Sequence, residues 1–213
     1  GNFLTETYLS LRRLENEVVR AAAVDTADMA VLGEAFTPIR VSIDRFYGIE
    51  INDFAVVVAR TAMWIAETGM KRETASIVHH DLDFFPLRSE AHIAEGNALR
   101  LDWRTVCPAP DYIIGNPPFV GARLMNKEQK DDLLSVFGEG WKNVGNLDYV
   151  SGWYKKAADM MKNTPIRAAL VSTNSVTQGE NVPALFQPLF ADGMHFDFAY
   201  RTFRWDSEMA EKA

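Results

Sequence analysis

The sequence predicts an α/β fold, a doubly wound and mostly parallel sheet with helices on both faces. Amphipathic helical segments alternate with short apolar strands along the chain, a pattern typical of parallel sheets covered on both sides. The 213 residues are 47% hydrophobic, enough for one domain with a sizeable core. Three predicted strands end in turns with unusual polar residues, and ligands of such sheets bind at that edge.

The N-terminal half is predicted to hold two helices and two strands. Apolar side chains recur at helical spacing over residues 3–22, which indicates a one-sided helix. Residues 23–40 are interpreted as irregular and residues 41–51 as an extended segment. Asn52 and Asp53 are suitable caps for a helix running to about Thr68. Residues 91–95 form a short predicted strand.

The C-terminal half continues the alternation. Strands are predicted at residues 111–115 and 167–173, and helices at residues 147–162 and 182–190. Asn126 with Gln129 three residues later resembles a capping box, which predicts a helix through Phe137. Residues 194–205 are predicted to form an antiparallel hairpin.

The most informative segment is the Asn-Pro-Pro-Phe turn, defined as Asn116, Pro117, Pro118 and Phe119. The prolines fix the backbone and remove two amide donors, so the turn is stiff and rich in acceptors. The Asn116 side-chain oxygen and the Pro117 carbonyl suit an exocyclic amine with two N–H groups, such as N6 of adenine. Phe119 offers a face for base stacking, which contributes roughly 1–3 kcal/mol.

This arrangement matches a specific chemical need. The lone pair of adenine N6 is delocalised into the ring, so the amine is a poor nucleophile. Two acceptors on its protons favour a pyramidal nitrogen and stabilise the positive charge that develops during alkylation. Catalysis then consists of alignment and fixed dipoles. A proline-stiffened turn without chemical function is the structural alternative.

The other two strand-end turns suit a nucleoside-containing cofactor. Glu50 ends an apolar strand and is placed to accept both hydroxyls of a ribose, although a solvated strand-end carboxylate is an alternative. Ile51 could pack on an adenine ring. Asn97, followed by Ala98, could hydrogen-bond the adenine edge, and a turn-forming Asn after Gly96 is an equally good explanation.

Together these motifs resemble the class I S-adenosylmethionine-dependent N6-adenine DNA methyltransferases, whose catalytic motif is Asn-Pro-Pro followed by Tyr or Phe. Residues 1–4 resemble the end of the family's glycine-rich cofactor motif, residues 46–51 its acidic ribose motif, and residues 96–99 the next cofactor motif. Residues 171–175 are similar to a segment after the catalytic strand, and residues 200–205 to a late hairpin motif.

The resemblance implies S-adenosylmethionine as cofactor and double-stranded DNA as partner. It adds Gly1, Asn2 and Phe3 to the cofactor-binding residues and gives Phe203 a place opposite Phe119 against the flipped base. The motif order implies that a target-recognition domain follows the catalytic domain, as in large single-chain restriction-modification and phage-defence methyltransferases.

Residues 1–213 are accordingly interpreted as a methyltransferase catalytic domain that is a fragment. It begins at the last glycine of the cofactor loop, so the first strand of the sheet is expected to be missing, and it ends after the hairpin motif. The formal net charge of −7 argues against a surface dedicated to binding the phosphates of DNA. We therefore expect DNA to be held largely by regions outside this chain.

Two alternative functions remain open at this stage. The same turn could methylate a planar nitrogen of a protein glutamine or an RNA guanine, although Phe119 and the late hairpin favour DNA adenine. A degenerate methyltransferase fold could also serve as a non-catalytic interaction module, but the intact turn argues against decay.

Other residues are given less weight. His79, His80 and Asp81, with Asp83 and His92 nearby, do not predict a metal site, because methyl transfer needs no metal. Asp148 and Tyr149 resemble a further family segment, or are a helix cap and a core aromatic. Three tryptophans are interpreted as packing residues, namely Trp141, Trp153 and Trp205. The single Cys107, the absence of an apolar stretch long enough for a bilayer and the lack of a leader suggest a cytoplasmic protein without a membrane segment.

Overall fold

The computed structural model describes residues 2–25, 39–78 and 90–202. The chain divides into two compact units, Gly1–Pro108 and Ala109–Ala213. Each unit is built around a two-stranded sheet, and in each the two strands are parallel. The units are described in turn.

The first unit contains two long helices and a pair of strands. Its elements are α1 (Asn2–Asp25), β1 (Tyr47–Glu50), α2 (Asp53–Val78), β2 (His92–Glu95) and the short α3 (Trp103–Val106). In the sheet, Tyr47 lies opposite His92 and Glu50 opposite Glu95. Both strands therefore end at the same edge, where their following turns lie side by side.

An apolar core joins these elements. Tyr8 of α1 meets Phe46 edge to face with ring centroids 5.5 Å apart. Met63 of α2 and Ile93 of β2 are buried in the same cluster. Gly48 lets α1 approach β1 closely, because a Cβ atom there would lie 3.0 Å from Cδ1 of Leu4.

A buried polar network also links α1 to α2. Arg12 is fully buried; it donates to Thr74 Oγ1 over 2.5 Å and pairs with Glu15. Thr74 in turn donates to Asn16 over 2.7 Å. Burial raises the pKa of the nearby Tyr8 phenol, and the Arg12 charge only partly opposes that effect. The network fixes the pairing of the two helices, because a buried cation separated from its partners is costly.

The second unit has the same strand arrangement. Its elements are β3 (Tyr112–Gly115), α4 (Lys127–Phe137), α5 (Ser151–Met161), β4 (Arg167–Leu170) and α6 (Gln187–Ala191). Tyr112 lies opposite Arg167 and Gly115 opposite Leu170. The Val171 amide donates to the Gly115 carbonyl over 2.9 Å, so the chain segments that leave both strands start as neighbours.

Aromatic and aliphatic side chains fill the core of the second unit. Trp141 donates through Nε1 to the Ala184 carbonyl over 2.7 Å and packs on Phe137. Trp153 meets the ring of Tyr149 edge to face, with centroids 5.2 Å apart. These contacts confirm the interpretation of both tryptophans as packing residues.

Several predictions are confirmed. Residues 3–22 lie within α1, and each of the four strands predicted before the hairpin contains one of the four observed. The capping box is present in full, because Asn126 Oδ1 accepts the Gln129 amide and Gln129 Oε1 accepts the Asn126 amide. Asn52 caps α2 by accepting the Ala55 amide over 2.9 Å.

Within the described parts of the chain, no helix is long and apolar enough to cross a membrane.

Other boundaries were wrong. The segment 41–51 is not extended throughout, because a 3₁₀ turn at Ile43–Arg45 buries Ile43 and leads directly into the core residue Phe46. Helix α2 continues ten residues beyond Thr68 to Val78, since Met70 and Thr74 extend its buried face. Helix α5 begins at Ser151 and not at Leu147.

Two further predictions concern the C-terminal part of the second unit. Strand β4 ends at Leu170, and residues 182–190 combine a π-helical turn, Val182–Phe186, with α6. Residues 194–202 contain no strand, and residues 203–205 lie outside the described residues, so the predicted hairpin is not confirmed. Parallel pairing is observed, but the sheets have two strands each and a doubly wound sheet is not confirmed.

Candidate active site

The Asn-Pro-Pro-Phe turn follows β3 directly. Asn116 is exposed, Pro117 is buried, and Phe119 keeps 47% of its surface exposed. Among the described residues, neither the Asn116 side chain nor the Pro117 carbonyl takes part in a hydrogen bond. The turn thus presents two acceptors and an accessible ring, the features that its sequence predicts.

A second polar segment leaves β4 beside this turn. Thr173 and Asn174 are exposed, and the Ser172 hydroxyl lies 3.0 Å from the phenol oxygen of Tyr154. Burial raises the pKa of that phenol, and the bond to Ser172 opposes the shift in part. Tyr154 is therefore neutral and serves as a hydrogen-bonding group near the strand end.

Asp148 connects the two segments. Its Oδ1 accepts the Ala122 amide over 3.1 Å, and its Oδ2 accepts the Ser175 hydroxyl over 2.6 Å. The Asp148 amide donates to Asn181 Oδ1 over 3.2 Å, and Asn181 Nδ2 donates to the Ser175 carbonyl over 3.1 Å. The segment after the Asn-Pro-Pro-Phe turn and the segment after β4 are thereby held to one carboxylate.

These contacts test the interpretation of Asp148 as a helix cap and of Tyr149 as a core aromatic. The Asp148 side chain does not cap α5, whose N-terminus has no side-chain cap, so that interpretation was wrong. Tyr149 is a core aromatic, and its hydroxyl donates to Asp132 Oδ2 over 3.0 Å. Sequence reasoning missed Asp132 and Asn181 as partners, because no motif connects residues this far apart in the chain.

In the first unit, Glu50 lies at the carboxyl end of β1. Its Oε1 accepts the amides of Ile51 and Asn52 over 2.9 and 3.3 Å, which fixes the carboxylate above the start of α2. Ile51 keeps 70% of its surface exposed. A carboxylate held in this way could accept hydrogen bonds from the hydroxyls of a ribose. The exposed aliphatic side chain beside it could pack against the planar base attached to that ribose.

The neighbouring turn carries Asn97 and Ala98. Asn97 Oδ1 accepts the Leu99 amide over 2.9 Å, and the Ala98 carbonyl accepts Nε1 of Trp103 over 2.7 Å. The side-chain oxygen of Asn97 thus forms the turn, as its structural alternative predicts, and a role on an adenine edge stays a prediction. Gly96 has a φ of +150°, a conformation that favours glycine.

The remaining cofactor-binding predictions fall at the start of α1. Asn2 and Phe3 occupy its first turn, and Leu4 packs over Gly48, two residues before Glu50. The residues of this unit therefore fit the nucleoside part of a cofactor, with one acidic and one aliphatic group at a shared strand edge.

Several predicted positions lie outside the described residues: Gly1, Phe203, Trp205 and residues 79–83. His92 is described, and its ring stacks on Tyr47 with centroids 4.8 Å apart. Within residues 2–25, 39–78 and 90–202, no group of three or more His, Cys, Asp or Glu side chains could hold a metal ion.

Comparisons with known proteins identify the family to which this chain belongs. The profile of the MmeI DNA-methyltransferase domain matches residues 1–213, which defines the class as that of DNA-methyltransferase domains. The chain belongs to the MmeI DNA-methyltransferase domain family.

Individual relatives agree with this assignment. DNA methyltransferase A of Bacillus subtilis (strain 168) is 41% identical over 218 residues, which cover all of this chain and 24% of that protein. The Type IIL restriction-modification enzyme MmeI, solved in complex with DNA, is 40% identical, with a TM-score of 0.87 over 99% of this chain and 28% of the MmeI chain. The chain thus spans about a quarter of the length of these relatives.

Proposed function

We propose that the protein carrying this chain transfers a methyl group from S-adenosylmethionine to N6 of an adenine in DNA. The observation that carries the proposal is the Asn-Pro-Pro-Phe turn, which leaves Asn116 Oδ1 and the Pro117 carbonyl available as acceptors beside the exposed ring of Phe119. Membership of the DNA-methyltransferase domain family supports the reaction class.

The turn suits an aromatic amine better than an aliphatic one. Two acceptors on the N6 protons draw electron density toward the nitrogen and stabilise its positive charge as the new N–C bond forms. Phe119 would stack on the purine and fix its plane relative to the incoming methyl group. Because the prolines hold the acceptors in place, little reorganisation is needed during the reaction.

The first unit supplies groups for the cofactor. S-adenosylmethionine, when bound, provides an electrophilic methyl group on a sulfonium. The Glu50 carboxylate would accept the ribose hydroxyls, while Ile51 and the turn at Asn97 and Ala98 would contact the adenine. Gly1, Asn2 and Phe3 are assigned to the cofactor site by the resemblance of residues 1–4 to a glycine-rich cofactor motif.

The target adenine has to leave the duplex to reach such a turn, because N6 is otherwise paired and stacked. We propose that Phe203 contacts the extruded base opposite Phe119. We also propose that double-stranded DNA is bound mainly by parts of the protein outside these 213 residues. This chain has a net charge of −7, which disfavours extensive contact with DNA phosphates. MmeI, of which this chain matches 28%, was solved in complex with DNA.

A methyl-transfer assay with labelled cofactor tests the proposal. The full-length protein is incubated with unmethylated DNA, total RNA or protein, and the labelled DNA is digested to nucleosides. We expect label in DNA and in N6-methyladenine. Label in protein glutamine or RNA guanine would support the alternative substrates, and no transfer despite cofactor binding would support a non-catalytic module.

A further inference from the structure

The segment immediately after Phe119 has few local interactions of its own. Residues 119–122 belong to neither a helix nor a strand. Two residues that precede α5 hold this segment: the Tyr149 amide donates to the Val120 carbonyl over 2.9 Å, and the Ala122 amide donates to Asp148 Oδ1 over 3.1 Å. The direction in which the chain leaves the turn therefore depends on residues 148 and 149.

The other oxygen of Asp148 reaches the second strand end. The Ser175 hydroxyl donates to Oδ2 over 2.6 Å, so its only hydrogen is used. The Thr173 hydroxyl, 2.7 Å from Ser175 Oγ, must then act as the donor in that pair. A directed chain runs from Thr173 through Ser175 to Asp148, and it leaves only lone pairs on the exposed Thr173 oxygen for a bound molecule.

We propose that Asp148 is a positioning residue for methyl transfer, an inference that rests on the proposed function. Its carboxylate sets the position of Phe119 by holding Ala122, and it orients the polar segment after β4 by holding Ser175. Asp148 acts through these two groups and does not contact the substrate. Loss of the carboxylate would leave the Ala122 amide and the Ser175 hydroxyl without their acceptor.

The test compares variants of the full-length protein in single-turnover methylation of unmethylated DNA. Asp148→Ala is expected to lower the rate constant about 10- to 100-fold, because small displacements of reacting groups have effects of this size. Affinity for S-adenosylmethionine, measured by calorimetry, should be unchanged, since the proposed nucleoside contacts lie in residues 50–51 and 97–98.

Conservative replacement separates positioning from general destabilisation. In Asp148→Asn the amide oxygen can still accept from Ala122, and the amide nitrogen can donate to Ser175 Oγ, so most of the rate should return. Ser175→Ala should slow the reaction, and Asp148→Ala with Ser175→Ala should be no slower than the slower single variant, because the two residues share one interaction. Asp131→Ala, at an exposed carboxylate of α4, is the matched control.

If Asp148→Ala does not fold, the single-turnover rates of Ser175→Ala and Asp148→Asn test the inference instead. Wild-type rates in Asp148→Ala and Ser175→Ala would overturn the inference, as would an Asn variant as slow as the Ala variant or fully additive effects. Failure of the unsubstituted protein to methylate adenine would overturn the proposed function itself, and the inference with it.

Discussion

The Gly96 amide donates to the Glu50 carbonyl over 2.9 Å, which joins the turn after β2 to the last residue of β1. This bond extends the parallel ladder by one step at the edge where the proposed nucleoside contacts lie. The geometry of Gly96 therefore affects both Glu50 and Asn97, the acidic and amide groups of that edge.

Gly96→Ala should destabilise the protein. Its φ is +150°, and a Cβ atom would lie 2.8 Å from Cδ1 of Leu101, so we expect a loss of about 1–3 kcal/mol in the free energy of unfolding. Gly69→Ala, on the exposed side of α2 with no atom within 4 Å of the new Cβ, is the control and should stabilise by about 0.5–1 kcal/mol. Urea unfolding followed by circular dichroism measures both, and equal effects would contradict the prediction.

Glu50→Ala should weaken binding of S-adenosylmethionine. Removing a charged acceptor of hydrogen bonds costs about 1.5–3 kcal/mol, which corresponds to roughly a 10- to 150-fold rise in Kd. Calorimetric titration of the full-length protein measures this change. Asp44→Ala, at an exposed carboxylate of the same unit, should leave the Kd unchanged. An unaltered Kd in Glu50→Ala would remove Glu50 from the cofactor site.

Asn116→Ala should abolish adenine methylation while cofactor affinity stays near that of the unsubstituted protein. Removal of one fixed group that stabilises developing charge lowers a rate by about 10²–10³-fold. Asn116→Asp keeps a side-chain oxygen acceptor at this position and should retain more activity than the alanine variant. The readout is tritium transfer to DNA, and survival of full activity in Asn116→Ala would show that our assignment of Asn116 is wrong.

Phe119→Ala should impair use of DNA, because stacking on a base contributes about 1–3 kcal/mol. Phe119→Tyr keeps the ring and should be close to the unsubstituted protein. Phe190→Ala is the control: Phe190 has a similar exposed fraction, 45%, in the same unit and packs on Phe186. Single-turnover rates over a range of DNA concentrations distinguish these variants, and equal losses in Phe119→Ala and Phe190→Ala would contradict a specific stacking role.

Arg12→Ala should strongly destabilise the first unit. It leaves Thr74 and Glu15 without their buried cation, and breaking such a pair costs about 3–5 kcal/mol. The neighbouring Arg13 is exposed, and Arg13→Ala should stay within about 0.5 kcal/mol of the unsubstituted protein. Chemical denaturation compares the two, and similar midpoints would argue against the stabilising role of the network.

Features encoded within a few residues were predictable from the sequence. The capping box is specified by Asn126 and Gln129 alone. The Asn52 cap was predictable because Asn52 comes directly before a segment predicted to be helical. The stiffness of the Asn-Pro-Pro-Phe turn is also local, because its two prolines fix the backbone and remove two amide donors.

Features that depend on distant partners were not predictable. The end of α2 was misplaced because its last turns are polar in sequence and owe their burial to α1, as the Thr74 contacts with Arg12 and Asn16 show. The role of Asp148 depends on Ala122 and Ser175, which lie 26 and 27 residues away.

The two bonds of Asp148 also impose an order on biosynthesis. The chain leaves the ribosome from its N-terminus, so Ala122 and Asp148 are available to each other before Ser175 and Asn181 have been made. The carboxylate can therefore be satisfied on one side early, but its second side is completed only after residues 175 and 181 have emerged. Packing of the region around Phe119 can therefore be completed only after residues 175 and 181 have been synthesised, although the turn itself emerges earlier.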